Sequence, residues 1–311
     1  MKDFKNRDIL SGKDFERDEI DYILEIGKKM GNNEYPKILD GKILATLFFE
    51  PSTRTRLSFE SAMLRLGGKV VGFQSRDVSS IKKGETIADT IRTVQNYSDI
   101  IVMRHSLEGV DRMAAKFSTV PVINAGSGPS EHPTQGLLDL LTIKEECGTI
   151  DGLNIGLCGD LKYGRTVHSL SYLLCNYEVN LYFISPDSLK MRARVVDWLR
   201  KKQLKFKETE KFRDILPLLD VLYMTRIQAE RFVDKEEYEK VKGVYIFRKK
   251  DLTETRDNFR LMHPLPRIDE ISTSVDDSKK AIYFKQAKYG MYLRMALLGL
   301  VLKGNDFMRN L

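Results

Sequence analysis

One segment, residues 43–66, constrains the fold more than any other part of the sequence. Its apolar first part, residues 43–49, is typical of a buried β-strand, and residues 53–66 have the apolar spacing of a helix. Between them, the sequence Glu-Pro-Ser-Thr-Arg-Thr-Arg places Ser52 at the position of a helix N-cap. A strand that runs directly into a helix is the unit from which parallel α/β sheets are built.

This junction between strand and helix also predicts an anion site. The first turn of a helix leaves backbone N–H groups without helical partners, and the helix dipole makes that end positive. Thr53, Arg54 and Thr55 add side-chain donors, and an arginine can bind phosphate through two parallel hydrogen bonds. The alternative for an isolated motif of this kind is an ordinary capped helix with solvated arginines, so the interpretation depends on the other motifs.

The rest of the chain repeats the alternation of strand and helix. Strand patterns occupy residues 70–73, 99–103, 120–124, 153–158, 179–184 and 221–224, and helical patterns occupy residues 14–30, 85–97, 110–117, 132–147, 188–202 and 283–303. We therefore expect an α/β fold of two lobes, each a mainly parallel β-sheet flanked by helices, with the C-terminal helix returning to the first lobe. The first domain is predicted at residues 1–133 plus 290–311, and the second at residues 134–289.

Composition and charge exclude several classes of protein. The 311 residues are 42% hydrophobic and 31% charged, which is typical of a globular chain, and no apolar run is long enough to span a membrane. The net charge of +7 is spread along the chain without a basic arm, so we expect no nucleic acid partner. The N-terminus has no apolar signal core, and Cys147, Cys158 and Cys175 form no CxxC pair or metal cluster. These features favour a reduced, cytoplasmic setting without a metal or other cofactor.

Further candidate binding residues occur in the first half of the chain. The loop before the helix at residue 85 carries Ser79 and Lys83, although such sequences are also common in plain loops. Arg104 ends a strand, at the edge where open α/β sheets bind their ligands. His132 and Gln135 lie at the start of a helix, where they can donate to a carbonyl or hold an amide, although a lone histidine is more often structural.

A glycine-rich motif in the second half has two interpretations. Gly-Asp-Leu-Lys-Tyr-Gly-Arg-Thr, which ends at Thr166, follows a strand and opens a helix. It nearly matches the phosphate-binding P-loop, but Arg165 occupies the position of the lysine. A P-loop NTPase would also require a Mg²⁺-binding aspartate after an apolar strand, and Asp220 precedes its strand.

Two more motifs follow strands or turns in the second half. Arg226 and Gln228 come directly after the strand pattern at residues 221–224. In His-Pro-Leu-Pro-Arg, two prolines bracket Leu265, which stiffens the backbone and removes an N–H group at each proline. The carbonyl groups of Leu265 and Pro266 are therefore candidates for contact with a ligand.

Taken in order, these motifs resemble the aspartate/ornithine carbamoyltransferase family over nearly the whole chain. The sequences that carry the resemblance are Phe-Glu-Pro-Ser-Thr-Arg-Thr-Arg, His-Pro-Thr-Gln, Gly-Asp-Leu-Lys-Tyr-Gly-Arg-Thr, Met-Thr-Arg-Ile-Gln and His-Pro-Leu-Pro-Arg. Ornithine-type members typically have a cysteine at the position of Pro264 and a Ser-Met-Gly loop that is missing from this sequence. The sequence Arg-x-Gln at Arg226 is aspartate-type.

The resemblance implies a transferase of de novo pyrimidine biosynthesis. It would move the carbamoyl group of carbamoyl phosphate to the α-amine of L-aspartate, giving N-carbamoyl-L-aspartate and phosphate. An ornithine-type carbamoyltransferase is the first alternative, and a P-loop-like NTPase is a weaker one. The resemblance implies that residues 1–133 plus 290–311 bind carbamoyl phosphate and that residues 134–289 bind aspartate.

The resemblance also implies a role for individual residues. The phosphate and carbamoyl groups would be bound by Ser52, Thr53, Arg54, Thr55, Ser79, Lys83, Arg104, His132, Gln135, Leu265 and Pro266. The catalytic residues among them would be Arg54, Thr55, Lys83, Arg104 and His132. The aspartate-binding residues would be Lys83, Arg165, Thr166, Arg226, Gln228 and Leu265.

Two further expectations rest on the resemblance alone. The loop with Ser79 and Lys83 matches one that reaches into the active site of a neighbouring subunit, with Ser80 and Lys82 as adjacent alternatives, so the expected unit is a homotrimer with shared sites. A second expectation concerns domain closure on substrate: Glu50 would bridge to Arg165 and Arg231. The sequence leaves open whether separate regulatory chains bind.

Overall fold

The computed structural model describes residues 3–31, 37–75, 84–232, 234–305 and 307. The chain divides into two compact units. Unit 1 comprises Met1–Leu141 and Lys288–Leu311, and unit 2 comprises Thr142–Ala287.

Unit 1 is built on a sheet of four parallel strands. The strands are β1 (Ile43–Phe48), β2 (Lys69–Phe73), β3 (Ile100–His105) and β4 (Val122–Ser127), in the sheet order β2-β1-β3-β4. The helices are α1 (Arg17–Lys29), α2 (Thr53–Arg65), α3 (Ile87–Val94), α4 (Val110–Phe117) and the first part of α5 (Pro133–Cys147). The inner strands β1 and β3 are almost entirely buried, which explains their continuous apolar sequence.

Unit 2 is built on a second parallel sheet, of five strands. The strands are β5 (Asn154–Cys158), β6 (Asn180–Ile184), β7 (Lys205–Thr209), β8 (Val221–Met224) and β9 (Arg260–Met262), in the sheet order β7-β6-β5-β8-β9. The helices that begin in this unit are α6 (Arg165–Leu174), α7 (Ala193–Lys201), α8 (Phe212–Ile215), α9 (Lys235–Val241) and α10 (Tyr283–Lys303). The two parallel sheets with their flanking helices confirm the predicted fold class.

Two helices carry the chain between the units. The chain leaves unit 1 within α5 and returns to it within α10. The bounds of α10 are those predicted from the sequence, and the residues from Lys288 onward belong to unit 1. This confirms the predicted return of the C-terminal helix to the first lobe.

Several predicted helices are shorter than their sequence patterns, and two of them differ most. The pattern at residues 85–97 gives a helix that begins only at Ile87, because the Thr86 side chain caps it by accepting from the Asp89 N–H. The pattern at residues 188–202 is interrupted. A 3₁₀ turn, Asp187–Leu189, comes first, and α7 begins only after Arg192, whose backbone is extended. Among the described helices, none combines the length and apolar character that crossing a lipid bilayer requires.

Candidate active site

The predicted residues of unit 1 follow the carboxyl ends of its strands. The strands β1, β3 and β4 are parallel, so the segments that leave them emerge at one edge of the sheet. The segment after β1 carries Glu50 and the start of α2, β3 carries Arg104 next to its end, and the loop after β4 leads to His132. The backbone also joins these segments, since the Phe49 N–H donates to the Arg104 carbonyl at 2.9 Å.

The start of α2 has the features of an anion site. Ser52 occupies the predicted N-cap position with an extended backbone, φ -156° and ψ 107°. Within the described residues, its hydroxyl makes no hydrogen bond that caps the helix. The first turn contains no acidic residue, and Thr53 and Arg54 are exposed. The N–H groups of this turn and these donors therefore face a surface where an anion is stabilised by the helix dipole.

Arg104 is held by an acidic residue of its own unit. The Arg104 Nε lies 2.7 Å from Glu50 Oε1, and both side chains are 16% exposed. Each lies next to the end of a neighbouring strand, so the parallel pairing of β1 with β3 brings them together. Glu50 therefore fixes the guanidinium at the edge of the sheet. The bridge from Glu50 to Arg165 and Arg231 stays a prediction.

Thr55 and His132 form a buried polar pair. The Thr55 hydroxyl lies 3.4 Å from His132 Nε2, although the two residues are 77 positions apart in the sequence. The other ring nitrogen, Nδ1, lies 3.4 Å from the Thr134 hydroxyl. With His132 only 3% exposed, these hydroxyls fix the plane of the ring. The pair presents two groups that can donate to one oxygen atom.

Gln135 lies in the first turn of α5, and its side chain is oriented by the same helix. Its Nε2 donates to Asp139 Oδ1 at 2.9 Å, a contact between positions i and i+4. Asp139 is fully buried and was not among the predicted site residues. Only its spacing from Gln135 in the sequence could have indicated it.

The loop between β4 and α5 is held by buried side chains. The Ser127 hydroxyl donates to Asp111 Oδ1 at 2.5 Å, and Glu131 accepts from the Ser11 hydroxyl at 2.7 Å and the Gly12 N–H at 2.8 Å. Burial raises the pKa of Glu131, although these hydrogen bonds oppose the shift. These contacts fix the backbone directly before His132.

In unit 2, the loop after β5 is organised around a buried carboxylate. Asp160 is fully buried and accepts a hydrogen bond from the Tyr163 N–H at 2.9 Å. Burial raises the pKa of Asp160 to about 6, because desolvation of the carboxylate outweighs the opposing effect of nearby N–H groups, including those of Gln228. Asp160 thus lies in the loop after β5 and beside the loop after β8.

Gly159 allows this loop to pass close to its neighbour. Its φ is 120°, and a Cβ at this position would lie 2.2 Å from the Thr225 carbonyl oxygen. A side chain is therefore excluded by both the backbone conformation and the adjacent strand end.

Arg165 occupies the first turn of α6. It and Thr166 are half-buried, and the N-cap before them is Gly164. One turn later, His168 is fully buried and its Nε2 lies 2.8 Å from the Leu161 carbonyl, which holds the loop against the helix. Arg165 is thereby placed at a helix N-terminus, next to an end that favours carboxylate ligands.

Arg226 and Gln228 lie directly after β8, as predicted. Both terminal nitrogens of Arg226 donate hydrogen bonds to the carboxylate of Glu230, one of them at 3.0 Å. Burial works to raise the pKa of Glu230, but the hydrogen bonds from Arg226 lower it overall. Arg231 follows at the end of a 3₁₀ turn and is half-buried. Glu230 was not predicted, and it fixes the guanidinium of Arg226 as Glu50 fixes that of Arg104.

The His-Pro-Leu-Pro-Arg segment is held by a buried histidine. His263 Nδ1 accepts from the Leu265 N–H at 2.8 Å, so the ring proton is on Nε2, which donates to Glu270 Oε1 at 2.6 Å. Leu265 has a positive φ of 55°, its bond to Pro266 is cis, and Pro266 is exposed. The hydrogen bond from the Leu265 N–H to the His263 ring thus holds the backbone of this segment in place.

The predicted residues therefore fall into two groups. Ser52, Thr53, Arg54, Thr55, Arg104, His132 and Gln135 belong to unit 1, and Arg165, Thr166, Arg226, Gln228, Leu265 and Pro266 belong to unit 2. The loop with Ser79, Ser80, Lys82 and Lys83 lies outside the described residues.

Each unit matches a known protein domain. Residues 7–145 match the aspartate/ornithine carbamoyltransferase carbamoyl-P binding domain, and residues 151–301 match the Asp/Orn binding domain of the same enzymes. The chain belongs to the aspartate/ornithine carbamoyltransferase family. The P-loop-like motif of Arg165 lies inside the second matched domain, so membership of this family replaces the NTPase interpretation.

Relatives in this family cover almost the whole chain. An aspartate carbamoyltransferase catalytic subunit from Thermococcus kodakarensis is 55% identical over 307 residues, which are 96% of this chain and 98% of the relative. The relative from Methanosarcina mazei, with the same description, is 52% identical.

Solved structures agree with the sequence relatives. Aspartate transcarbamoylase from Trypanosoma cruzi, in complex with carbamoyl phosphate, has a TM-score of 0.91 and 41% identity, and the match covers 96% of this chain and 97% of that one. The catalytic subunit of M. jannaschii aspartate transcarbamoylase has a TM-score of 0.87 and 49% identity, covering 98% of both chains.

Proposed function

We propose that this chain is an enzyme that transfers the carbamoyl group of carbamoyl phosphate to the α-amine of L-aspartate. The products are N-carbamoyl-L-aspartate and phosphate, and the reaction is an early step of de novo pyrimidine biosynthesis. The observation that carries the proposal is the buried pair of Thr55 and His132, 3.4 Å apart beside the anion-binding start of α2. That pair lies within the residues that match a carbamoyl-P binding domain.

Unit 1 binds carbamoyl phosphate. The phosphate lies at the start of α2, where the N–H groups and the side chains of Ser52, Thr53, Arg54 and Thr55 donate to its oxygens. Glu50 holds the Nε of Arg104, and the terminal N–H groups of the guanidinium donate to the carbonyl oxygen of the substrate. The groups around that oxygen are already fixed, so little reorganisation is required as the reaction proceeds.

Thr55, Arg104 and His132 stabilise the oxyanion. Attack of the amine on the carbamoyl carbon places negative charge on the carbonyl oxygen, and donors around that oxygen become stronger as the charge grows. Mutations of such donors in other enzymes cost about 10²–10³ in kcat. Gln135 and the carbonyl groups of Leu265 and Pro266 hold the NH₂ end of the carbamoyl group.

Unit 2 binds aspartate. A substrate with two carboxylates requires two cationic partners, and Arg165, Arg226 and Gln228 follow β5 and β8. The planar guanidinium can bind a carboxylate through two hydrogen bonds, whereas ornithine would present a cationic side chain to the same arginines. Arg226 therefore favours aspartate over ornithine as the amine substrate.

The active assembly is a homotrimer in the cytoplasm, with Ser79 and Lys83 acting in the site of a neighbouring subunit. Support for it comes from the family resemblance of this loop. Light scattering gives the subunit number, and mixing an inactive Lys83→Ala enzyme with an inactive His132→Ala enzyme tests the shared site. Restored activity on mixing supports the shared site, and its absence from a demonstrably mixed trimer contradicts it.

A carbamoyl-transfer assay on the purified chain tests the function directly. L-aspartate and L-ornithine are offered in parallel with carbamoyl phosphate, and the carbamoylated product is quantified. We expect product with aspartate and none with ornithine. Product with ornithine alone would contradict the role of Arg226, and product with neither would contradict the proposed function of this chain.

A further inference from the structure

A buried carboxylate adjoins Gln135, and a buried guanidinium of the same unit lies close enough to feel its charge, but the mechanism above uses neither group. Asp139 is fully buried and Arg294 is 3% exposed, both within unit 1. Burial lowers the pKa of Arg294 to about 10, and the nearby negative charge of Asp139 opposes that shift. Buried charges are costly even when they are paired, so two of them next to a substrate-binding side chain require an explanation.

Arg294 of α10 is held in place by α2. Its NH1 group donates to the Ser58 hydroxyl of α2 at 2.8 Å, and its guanidinium lies 5.0 Å from the centre of the Phe59 ring. One turn earlier in α10, a Cβ at Gly290 would lie 3.0 Å from the same NH1 group, so the glycine leaves space for the guanidinium. Arg294 thus supplies a fixed positive charge near Asp139 of α5.

Asp139 Oδ1 accepts from the Gln135 side chain, and an ionised carboxylate can only accept hydrogen bonds. The end of the Gln135 amide that faces Asp139 must therefore be its NH₂ group, consistent with the 2.9 Å contact from Nε2 to Oδ1. The carbonyl oxygen of the amide then lies on the opposite side. A glutamine without such a partner can turn its amide over at little cost, and its acceptor and donor would exchange places.

We propose that Asp139 is a positioning residue that keeps the Gln135 carbonyl oxygen directed at the NH₂ group of the substrate. The inference rests on the proposed function, because that function assigns carbamoyl phosphate to Gln135. It adds a basis for specificity: a fixed acceptor binds a carbamoyl NH₂ group and finds no donor on the methyl group of an acyl phosphate.

Three ligands separate this role from a general structural one. Carbamoyl phosphate and acetyl phosphate differ by NH₂ against CH₃, and inorganic phosphate lacks the carbonyl end altogether. Calorimetry on the purified assembled enzyme gives a Kd for each. The decisive quantity is the preference, defined as the Kd of acetyl phosphate divided by the Kd of carbamoyl phosphate.

Asp139→Asn is the first variant, because it keeps the volume and removes one acceptor oxygen. Where the new NH₂ group takes the position of Oδ1, it presents a donor to Gln135, which favours the reversed amide. We expect the preference to fall about tenfold, as for a lost hydrogen bond that leaves its partner unsatisfied. The Kd of inorganic phosphate should stay within about twofold, since the phosphate contacts are unchanged.

A double variant, Asp139→Leu with Arg294→Met, guards against misfolding of the first. It removes both buried charges at similar volume, a change that stability often tolerates, and leaves the Gln135 amide without its acceptor. We expect the preference of this double variant to be lower than that of the wild type as well. Ser58→Ala is the matched control, because it removes a hydrogen bond of Arg294 but keeps Asp139, and its preference should equal that of the wild type.

The outcomes are distinguishable. A folded Asp139→Asn or double variant that keeps the wild-type preference overturns the positioning role and leaves the proposed function intact. An equal loss of affinity for all three ligands also overturns it, because it indicates a structural role. A wild-type enzyme without any preference for carbamoyl phosphate overturns the assignment of Gln135 in the proposed function as well.

Discussion

Replacement of Arg226 is the sharpest test of how the second substrate is bound. Arg226 lies directly after β8 and is 25% exposed, with Glu230 on both of its terminal nitrogens. Each terminal nitrogen carries a second N–H group, so three donors, including Nε, remain for a substrate carboxylate. A hydrogen bond to a charged group contributes about 1.5–3 kcal/mol. Loss of about 2 kcal/mol or more in Arg226→Ala corresponds to a rise of at least ~30-fold in the KM for aspartate.

The assay varies L-aspartate at saturating carbamoyl phosphate, with the Kd of carbamoyl phosphate measured separately. Arg226→Ala should leave that Kd unchanged, because Arg226 is not among the residues that hold carbamoyl phosphate. Glu230→Gln should also raise the KM for aspartate, by a smaller factor, since it loosens the guanidinium without removing it. Arg200→Ala is the matched control in the same unit, at an arginine that is 67% exposed. Unchanged aspartate kinetics in Arg226→Ala would refute the assignment.

Three further predictions concern other parts of the site. His132→Ala should lower kcat by about 10²–10³ in the steady-state assay with little change in phosphate binding, and a kcat within a factor of two would contradict its oxyanion role. Gly159→Ala should destabilise the protein by at least ~2 kcal/mol in urea denaturation, because its Cβ would meet the Thr225 carbonyl, and an unchanged midpoint would contradict this. With the pKa of Asp160 raised to about 6, the folded state binds its proton more tightly than the unfolded state. Its contribution to the free energy of unfolding should therefore fall by about 3 kcal/mol between pH ~4 and ~6, and wild type and Asp160→Asn should diverge over that range in denaturant titrations.

The strands and helices that pack an apolar face were predictable from the sequence. β1, β3 and β8 are continuous apolar runs, and α10 has the bounds that its Ala, Leu and Met content indicates. The edge strand β7 was missed because its sequence, Lys-Phe-Lys-Glu-Thr, places its side chains in largely exposed positions. The backbone pairing with β6 specifies this strand, and its lysines protect its free edge from pairing with another strand. Neither effect leaves an alternation of apolar and polar residues in the sequence, so the strand could not be recognised from its pattern.

The positions of the candidate binding residues were predictable, but their partners were not. Ends of strands and starts of helices identified Arg104 and Arg226 as candidates, because ligand sites of parallel sheets lie there. The acidic residues that hold them depend on neighbours in space: Glu50 reaches Arg104 only because β1 pairs with β3. Glu230 is nearer in sequence, but an i+4 spacing of opposite charges is common on solvated surfaces and carries little information by itself.

A buried carboxylate adjoins each of the two candidate amides. Gln135 donates to buried Asp139, and Gln228 lies near buried Asp160, where it lowers the pKa of that carboxylate. The energetic cost differs, since Asp139 has the charge of Arg294 nearby, whereas burial raises the pKa of Asp160. Asn at either position keeps the shape but supplies only one acceptor, and so it is not a conservative change. The two substitutions should therefore separate by substrate: Asp139→Asn should weaken selection of carbamoyl phosphate, and Asp160→Asn should raise the KM for aspartate. Equal effects of both substitutions on both substrates would mean that these carboxylates support the fold and do not orient the amides.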